Sequence, residues 1–367
     1  MTLKVLSITD LRNFQSAQYL LHPTINIISG DNGVGKTSFL EAIHLLSCAR
    51  SFRSNEIAPL VRNGRDSLII YAELADNQTV AIKKKINSIS LVKINDQICT
   101  AASKMAQLLP TQVFYQDIFQ IVDAGPSERR HILDWGMFHV KHSYLDLVKQ
   151  YRRVLKQRNS LLKYESRRSM YIPWDIQLSE LSYEIDILRA AYLQSLQPLF
   201  SDVLAQISEL KCNIQYYKGW GKQNDNRSLE LVLEEAWEGD RQYQYTRFGS
   251  HHAELLFSSG SRKVKQYFSR GQQKLLLFAL KLAQAQLYSG NVVFLMDDLF
   301  SELDMQHGAR LIQYIAKTKG QFFITCHQSE MITNILDRDE RERTYGVIQL
   351  ASHKDVEGHE VVNNRFS

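Results

Sequence analysis

One glycine-rich segment, residues 30–37, limits the possible folds of this chain more than any other feature. It reads Gly-Asp-Asn-Gly-Val-Gly-Lys-Thr and matches the phosphate-loop pattern G-x-x-x-x-G-K-[S/T] at every fixed position. An alternating apolar run at residues 25–29 predicts a strand before it, and residues 38–43 predict a helix after it. Such a loop directs backbone N–H groups and a helix start at a phosphate. The segment therefore predicts a nucleotide-binding α/β domain, the alternative being a chance glycine-rich turn.

The predicted phosphate site gives separate roles to two side chains. Lys36 is expected to reach the β- and γ-phosphates of ATP, and the hydroxyl of Thr37 is expected to bind Mg²⁺. Lys36 therefore also counts as a catalytic residue. Nucleotide binding is assigned to the loop and the residue after it: Gly30, Asp31, Asn32, Gly33, Val34, Gly35, Lys36, Thr37 and Ser38.

The composition narrows the class of protein. The chain has 367 residues, enough for a nucleotide-binding domain and one further module. It has no apolar run long enough to span a bilayer, and residues 1–8 lack the core of a signal peptide. The cysteines are scattered without a C-x-x-C pair, which favours free thiols in a cytoplasmic protein without a membrane partner. A formal net charge of +5 permits a polyanionic partner without requiring one.

The hydropathy pattern divides the chain into three parts. Short alternating segments predict strands in residues 1–125, and apolar runs predict further strands in residues 229–367. Between them, residues 126–228 contain two runs with apolar positions three and four apart. We therefore predict an α/β ATPase head with a mixed sheet, formed by the N- and C-terminal parts, and an inserted antiparallel helical hairpin as an arm.

An acidic pair completes the predicted nucleotide site. Asp297 and Asp298 directly follow the apolar run at residues 292–296. Asp297 is expected to hold Mg²⁺, directly or through water, and Asp298 to orient and deprotonate the attacking water. An acidic turn after a core strand is the alternative. Farther upstream, Ser269 and Gln272 form a capping-box pattern before an apolar helix, and such a helix start is also a site for an anion.

These motifs, in this order, resemble those of ABC-type ATPases, and more narrowly the SMC-like branch and the RecF family of DNA-repair proteins. The resemblance rests on the phosphate loop, on the Ser-Arg-Gly-Gln segment at residues 269–272, and on the acidic pair followed by residues 301–304. It covers nearly the whole chain. Supporting segments lie at residues 11–14, 49–54, 125–135 and 155–159.

The resemblance implies an ATP site shared between two identical subunits. ATP would lie on the phosphate loop of one subunit, and residues 269–272 of the other would complete its site, so that ATP drives dimerisation. Gln116 would link Mg²⁺ to the arm, and His327 would sense the γ-phosphate; for both, a polar residue without a special role is the alternative. The implied nucleotide positions outside the loop are Arg12, Asn13, Gln116, Ser269, Arg270, Gly271, Gln272, Asp304 and His327.

The arm carries many cations, few acids and interleaved tyrosines. Such a stripe is typical of sequence-independent binding to DNA phosphates, although solvated helix faces look similar. The candidates for DNA contact are Arg152, Arg153, Lys156 and Arg158 on the arm, with Arg50 and Arg53 on the head.

The resemblance implies an ATP-dependent DNA-binding protein of recombinational repair and replication, acting on single-stranded, gapped or double-stranded DNA. The implied partners are RecR and RecO, with RecA loading and the SOS response as outcomes. Asp298 stands where most ABC ATPases have Glu, which predicts slow hydrolysis and a switch. Residues 249–254 depart from a Gly-Pro-His motif of the family and have no assigned role. The alternatives are the ATPase subunit of an ABC transporter and a DNA-binding scaffold with vestigial hydrolysis.

Overall fold

The chain forms two compact units in a computed structural model. The first unit comprises Met1–Phe119, Gln206–Ser208 and Gly290–Ser367, and the second comprises Gln120–Ala205 and Glu209–Ser289. The sequence division placed residues 229–289 with the head, whereas by contact these residues group with the helical part. The residues that the structure describes are 2–115, 125–221, 227–260, 262–337 and 345–351.

The elements are numbered in chain order. The strands are β1 Leu3–Leu11, β2 Phe14–Leu20, β3 Ile25–Ser29, β4 Ser67–Leu74, β5 Thr79–Lys85, β6 Leu91–Ile94, β7 Gln97–Ile98, β8 Thr111–Phe114, β9 Asn213–Tyr217, β10 Glu254–Ser259, β11 Arg262–Lys263, β12 Val293–Met296, β13 Gln321–Cys326 and β14 Tyr345–Gln349. The α-helices are α1 Lys36–Cys48, α2 Ala102–Leu108, α3 Pro126–Val140, α4 Tyr144–Tyr164, α5 Ile172–Ile207, α6 Leu229–Tyr243, α7 Val264–Tyr267, α8 Arg270–Leu287, α9 Met305–Ala316 and α10 Glu330–Leu336.

A five-stranded parallel sheet positions the nucleotide motifs in the first unit. Its strand order is β14-β3-β13-β12-β8. Strands β3, β12 and β13 are buried along their whole length, as the apolar runs predicted. Because these strands are parallel, their carboxyl ends meet at one edge of the sheet, and the loops that follow them lie together there.

A second sheet in the first unit is antiparallel, with the order β2-β1-β4-β5-β6-β7. Its strands β4 and β5 alternate between buried and partly exposed side chains, so one face of the sheet is buried. Helix α1 contributes Phe39, Leu40 and Ile43 to a core that also contains side chains from both sheets. The α/β class predicted from the sequence is confirmed, with parallel and antiparallel strands in separate sheets.

Helices dominate the second unit. Arg158 of α4 contacts Asp175 near the start of α5, whereas Tyr144 at the start of α4 contacts Arg189 farther along α5. The two helices therefore run in opposite directions, and α4 and α5 form the predicted antiparallel hairpin. The same unit contains a small antiparallel sheet, β11-β10-β9, which the periodicity did not predict. No described helix is both long and apolar enough to cross a membrane.

Candidate functional site: a phosphate loop facing an acidic strand end

The phosphate loop joins β3 to α1, and two of its glycines are required by the space around them. Gly30 has a φ of 147°, and a Cβ there would lie 2.5 Å from the carbonyl oxygen of Leu350. Gly35 has a φ of 114°, and its Cβ would lie 3.0 Å from a ring carbon of Phe14. Residues other than glycine rarely adopt such positive φ values, so both positions favour glycine.

Polar side chains brace the loop from both ends. The ammonium of Lys36 donates to the carbonyl oxygens of Gly30 at 2.6 Å and Asp31 at 2.9 Å. The amide of Asn13, in the turn between β1 and β2, donates to the carbonyl oxygen of Gly33 at 3.1 Å. The loop is thus held in a curled form with the Lys36 charge beside it, which is the arrangement a phosphate requires.

The acidic strand end lies directly against the start of α1. The hydroxyl of Thr37 lies 3.1 and 3.0 Å from the two carboxylate oxygens of Asp297. The hydroxyl of Thr325, on β13, donates to Asp297 at 2.9 Å and accepts from the backbone N–H of Asp298 at 2.8 Å. Burial raises the pKa of Asp297, and the hydrogen bonds from Thr325 and Thr37 oppose that rise. Thr325 joins the two acidic residues, and no motif pointed to it.

A divalent cation fits this pair of side chains only with help from a ligand. Within the described ranges, no three His, Cys, Asp or Glu side chains lie close enough together to hold a metal ion. Mg²⁺ prefers oxygen ligands and is usually bound by one or two protein groups together with substrate phosphates. Thr37 and Asp297 supply such oxygens, and a cation there would offset the cost of burying the carboxylate.

A cavity of about 660 Å³ adjoins these groups in the first unit. It brings together positions predicted from different parts of the sequence, among them Asn13, Lys36, Thr37, Asp298 and His327. Phe52 and Tyr115, whose rings pack 5.2 Å apart, also line it. Arg53, which the sequence predicted to contact DNA, is exposed and also lines this cavity. A neighbouring cavity of about 700 Å³ is lined by Gly30, Asp31 and again His327.

Arg12 differs from its neighbour Asn13 in what it contacts. Its guanidinium donates to the fully buried Glu41 of α1, through Nε at 2.5 Å and Nη2 at 3.1 Å. Ser51 also donates to Glu41. Arg12 therefore ties the turn after β1 to the phosphate-loop helix. Glu41 was missed, although a carboxylate in an apolar helix is a usable signal for a buried ion pair.

Other predicted nucleotide residues are not among those that line this cavity, or are not described. Ser269 and Gln272 form the predicted capping box at the start of α8, in the second unit. Asp304 caps α9, and the backbone N–H and ring of His307 hold the pKa of Asp304 below its usual range. Gln116 lies outside the described residues.

One predicted DNA contact requires a correction. Arg158 is fully buried, and its guanidinium donates to Asp175 at 2.6 Å and to Asp240 at 2.8 Å. Such a side chain is unavailable to a DNA phosphate, so Arg158 is a structural residue that joins α4, α5 and α6. The DNA assignment rested on charge, although Arg158 follows Tyr151 and Val154 by seven and four positions and so shares their buried helix face. Arg50, Arg152, Arg153 and Lys156 are exposed.

Known proteins are similar to this chain in sequence and in architecture. A family model described as the RecF/RecN/SMC N terminal domain matches residues 2–354. A protein named DNA replication and repair protein RecF, from Francisella tularensis subsp. mediasiatica, is 35% identical over 339 residues, covering 90% of this chain and 96% of that protein. The protein of the same name from Stutzerimonas stutzeri is 37% identical over 342 residues, covering 90% of this chain and 92% of its own length.

The chain belongs to the RecF family. A solved structure described as the recombination mediator protein RecF-ATP in the RecFOR pathway has a TM-score of 0.79 and 25% identity, covering 95% of each chain. An Smc head bound to the C-winged helix domain of ScpA has a TM-score of 0.60 at 14% identity, covering 95% of this chain and 94% of that chain, and shows the fold alone.

Two segments without an assigned role, residues 125–135 and 249–254, meet in the second unit. Arg129 at the start of α3 forms an ion pair with Glu254, and Arg130 donates to the carbonyl oxygen of Ala253 at 2.9 Å. The segment at residues 125–135 thus packs against the divergent segment at residues 249–254. The structure joins two motifs that the sequence could only place separately.

Proposed function

We propose that this RecF-family chain is an ATP-dependent DNA-binding switch of recombinational repair and replication. The observation that carries this proposal is the contact between Thr37 and Asp297, which places the two nucleotide motifs beside one cavity. The curated relatives are named for DNA replication and repair, and a solved relative at 25% identity is described with ATP. A chain of this family with an intact phosphate site fits such a role.

The described side chains divide the work of nucleotide binding. Lys36 and the loop N–H groups hold the phosphates, while Thr37 and Asp297 would hold Mg²⁺. The ion would neutralise the charge that develops on the phosphate oxygens. Asp298 receives the role of orienting and deprotonating water, and its short, exposed carboxylate favours slow turnover.

We further propose an ATP-driven homodimer in which residues 269–272 of one chain complete the site of the other. RecR and RecO are the proposed protein partners, with RecA loading and the SOS response as consequences, and the cytoplasmic nucleoid as the location. The four free cysteines fit that compartment. The test is to measure mass and DNA binding of the same samples with and without ATP. A chain that stays monomeric and binds DNA equally well in both conditions would exclude the switch.

Asp298→Asn is expected to keep ATP binding and slow hydrolysis by at least about 100-fold, because the amide cannot accept a proton from water. Asn also tolerates the backbone φ of 47° at this position. Single-turnover hydrolysis and the lifetime of the ATP-bound dimer are the measurements, with Asp202→Asn on α5 as an exposed control. An unchanged hydrolysis rate would remove the proposed role and favour a scaffold that barely hydrolyses ATP.

Reversing the charges of Arg152, Arg153 and Lys156 to Glu is expected to weaken DNA binding about 10- to 100-fold. Each lost phosphate contact should also lower the salt slope by about 0.9 on duplex DNA. These exposed residues lie on α4, where Glu is also a good helix former, so the fold should persist. Lys211→Glu, on an exposed residue outside α4, serves as the control for net charge. An unchanged salt slope would indicate that DNA binds to the head rather than to α4.

A further inference from the structure

A small cavity in the second unit lies where the two segments without an assigned role, residues 125–135 and 249–254, meet. Its volume is about 200 Å³. Four parts of the unit line it: the first turns of α3, the middle of α4, the middle of α5, and the turn before β10. The residues that matter for its chemistry are Ser127, Arg130, Asp134, Arg152, Arg189 and His251.

The charges around this cavity are unequal. Arg130, Arg152 and Arg189 line it, whereas Asp134 is the single carboxylate among its lining residues. Asp134 accepts from Arg189 at 2.8 Å, so its charge is already compensated by a buried partner. Arg130 and Arg152 therefore leave the cavity with an excess of positive charge, which favours an anion.

Burial also acts on the groups that line the cavity. Burial, and next the charge of Arg189, lower the pKa of Arg130, whereas the charges of Asp134 and Glu254 raise it. His251 accepts or donates a hydrogen bond with the hydroxyl of Tyr151 at 2.5 Å, and burial lowers its pKa to about 3. His251 is thus neutral near pH 7, so it adds a polar wall without charge. The positive charge of the cavity comes from arginine and is independent of pH over the usual range.

The size of the cavity selects for a single small group. Pockets that enclose whole small molecules begin at roughly 300 Å³, and this cavity is smaller. It is also open to solvent through the exposed side chains of Ser127 and Arg152. A phosphate group that projects from a larger molecule fits these limits better than a free nucleotide.

A basic groove on α4 shares one lining residue with this cavity. Arg152 also lines that groove, together with Lys156 and Lys163. These residues are four and seven positions apart, which places them on one helix face, and they span about 16 Å. A row of this length allows contacts with several consecutive phosphates of one strand. The cavity lies at the Arg152 end of this row.

We propose that the cavity binds one backbone phosphate of a DNA strand that runs along the basic groove of α4. The proposal rests on the proposed DNA-binding function and adds a specific phosphate site, formed by Arg130, Arg152 and the hydroxyl of Ser127. Residues 125–135 and 249–254 then have a shared role, because their packing holds Arg130 in the lining of the cavity that Arg152 also lines.

Ser127→Asp tests the site without removing any arginine. Ser127 lies in the first turn of α3, where an acidic residue stabilises the helix, so the variant should fold. Two variants serve as controls. Ser127→Asn introduces a side chain of nearly the same size as Asp but without its charge. Ser195→Asp adds the same charge at an exposed position of α5 that lines neither the cavity nor the groove. Ser127→Asp is expected to weaken DNA binding about 3- to 10-fold and to lower the salt slope by about one. Both controls should stay within about twofold of wild type.

The outcomes separate this proposal from the proposed function. If the reversal of Arg152, Arg153 and Lys156 weakens DNA binding but Ser127→Asp behaves as Ser127→Asn, the cavity binds no DNA phosphate while DNA binding by α4 stands. If the wild-type chain binds no DNA with or without ATP, both proposals fail. Calorimetry with inorganic phosphate is a further measurement. Millimolar binding that Ser127→Asp abolishes, with DNA affinity unchanged, would assign the cavity to a free anion and overturn the proposal.

Discussion

Lys36→Ala is expected to bind ATP at least about 100-fold more weakly than the wild-type chain and to lose ATP-driven dimerisation. A hydrogen bond from a charged donor contributes roughly 1.5–3 kcal/mol, and Lys36 is positioned to reach two phosphates. The loss of about 3–6 kcal/mol corresponds to at least about two orders of magnitude in affinity. The ammonium already donates to two loop carbonyls, so it lies at the phosphate site before ATP arrives.

Calorimetry with ATP and Mg²⁺, together with light scattering on the same samples, measures both effects. Lys85→Ala is the matched control, because it removes the same charge from an exposed position of β5 outside the cavity. DNA binding should remain measurable in Lys36→Ala without ATP, since the arm is in the other unit. A Lys36→Ala chain that dimerises with ATP as the wild type does would contradict the assignment of the phosphate site.

Arg158→Met is expected to lower the free energy of unfolding of the second unit by about 3 kcal/mol. Removing one partner of a buried ion pair costs about 3–5 kcal/mol, because the remaining charge is left buried and uncompensated. The lower end applies here, since Asp175 also pairs with Arg168 and Asp240 also pairs with Arg247. Arg158 additionally donates to Thr246 at 2.8 Å, so its removal loosens three helices and a loop together.

Urea denaturation followed by tryptophan fluorescence measures this change in the second unit alone. The four tryptophans are Trp135, Trp174, Trp220 and Trp237, and all belong to that unit. Arg153→Met is the control, because it makes the same substitution at an exposed position on the same helix, where about 0.5 kcal/mol or less is expected. Equal unfolding midpoints for the two variants would show that the Arg158 network contributes no net stability.

The sequence predicted the strands and the helix that carry the phosphate loop and the acidic pair, because these motifs are local. Residues 30–37 specify a loop between a strand and a helix, and Asp297 directly follows a buried strand, so both sites follow from short-range patterns. The antiparallel hairpin was likewise predictable from the spacing of apolar residues on α4 and α5. The division of the strands of the first unit into two sheets was not predictable, since strand pairing is a long-range property that alternation does not encode.

Charged residues show where local patterns are insufficient. Arg152 and Arg158 lie six residues apart on α4, and charge alone gave both the same prediction. The structure exposes Arg152 and buries Arg158 between two aspartates that follow it by 17 and 82 residues. The DNA contact predicted for Arg53 stays a prediction, and the structure adds that Arg53 lines the cavity beside the phosphate loop.

The sequence by itself determined the class of the fold, the family, the phosphate loop and the acidic pair, because each depends on residues that are neighbours in the chain. Only the tertiary structure decided that Thr325 joins Asp297 to Asp298, that Arg158 is structural, and that residues 125–135 and 249–254 line one basic cavity together with α4 and α5. These features depend on burial and on contacts between distant segments. The cost of placing a charge in the interior, and the partners that offset it, exist only once the chain has folded.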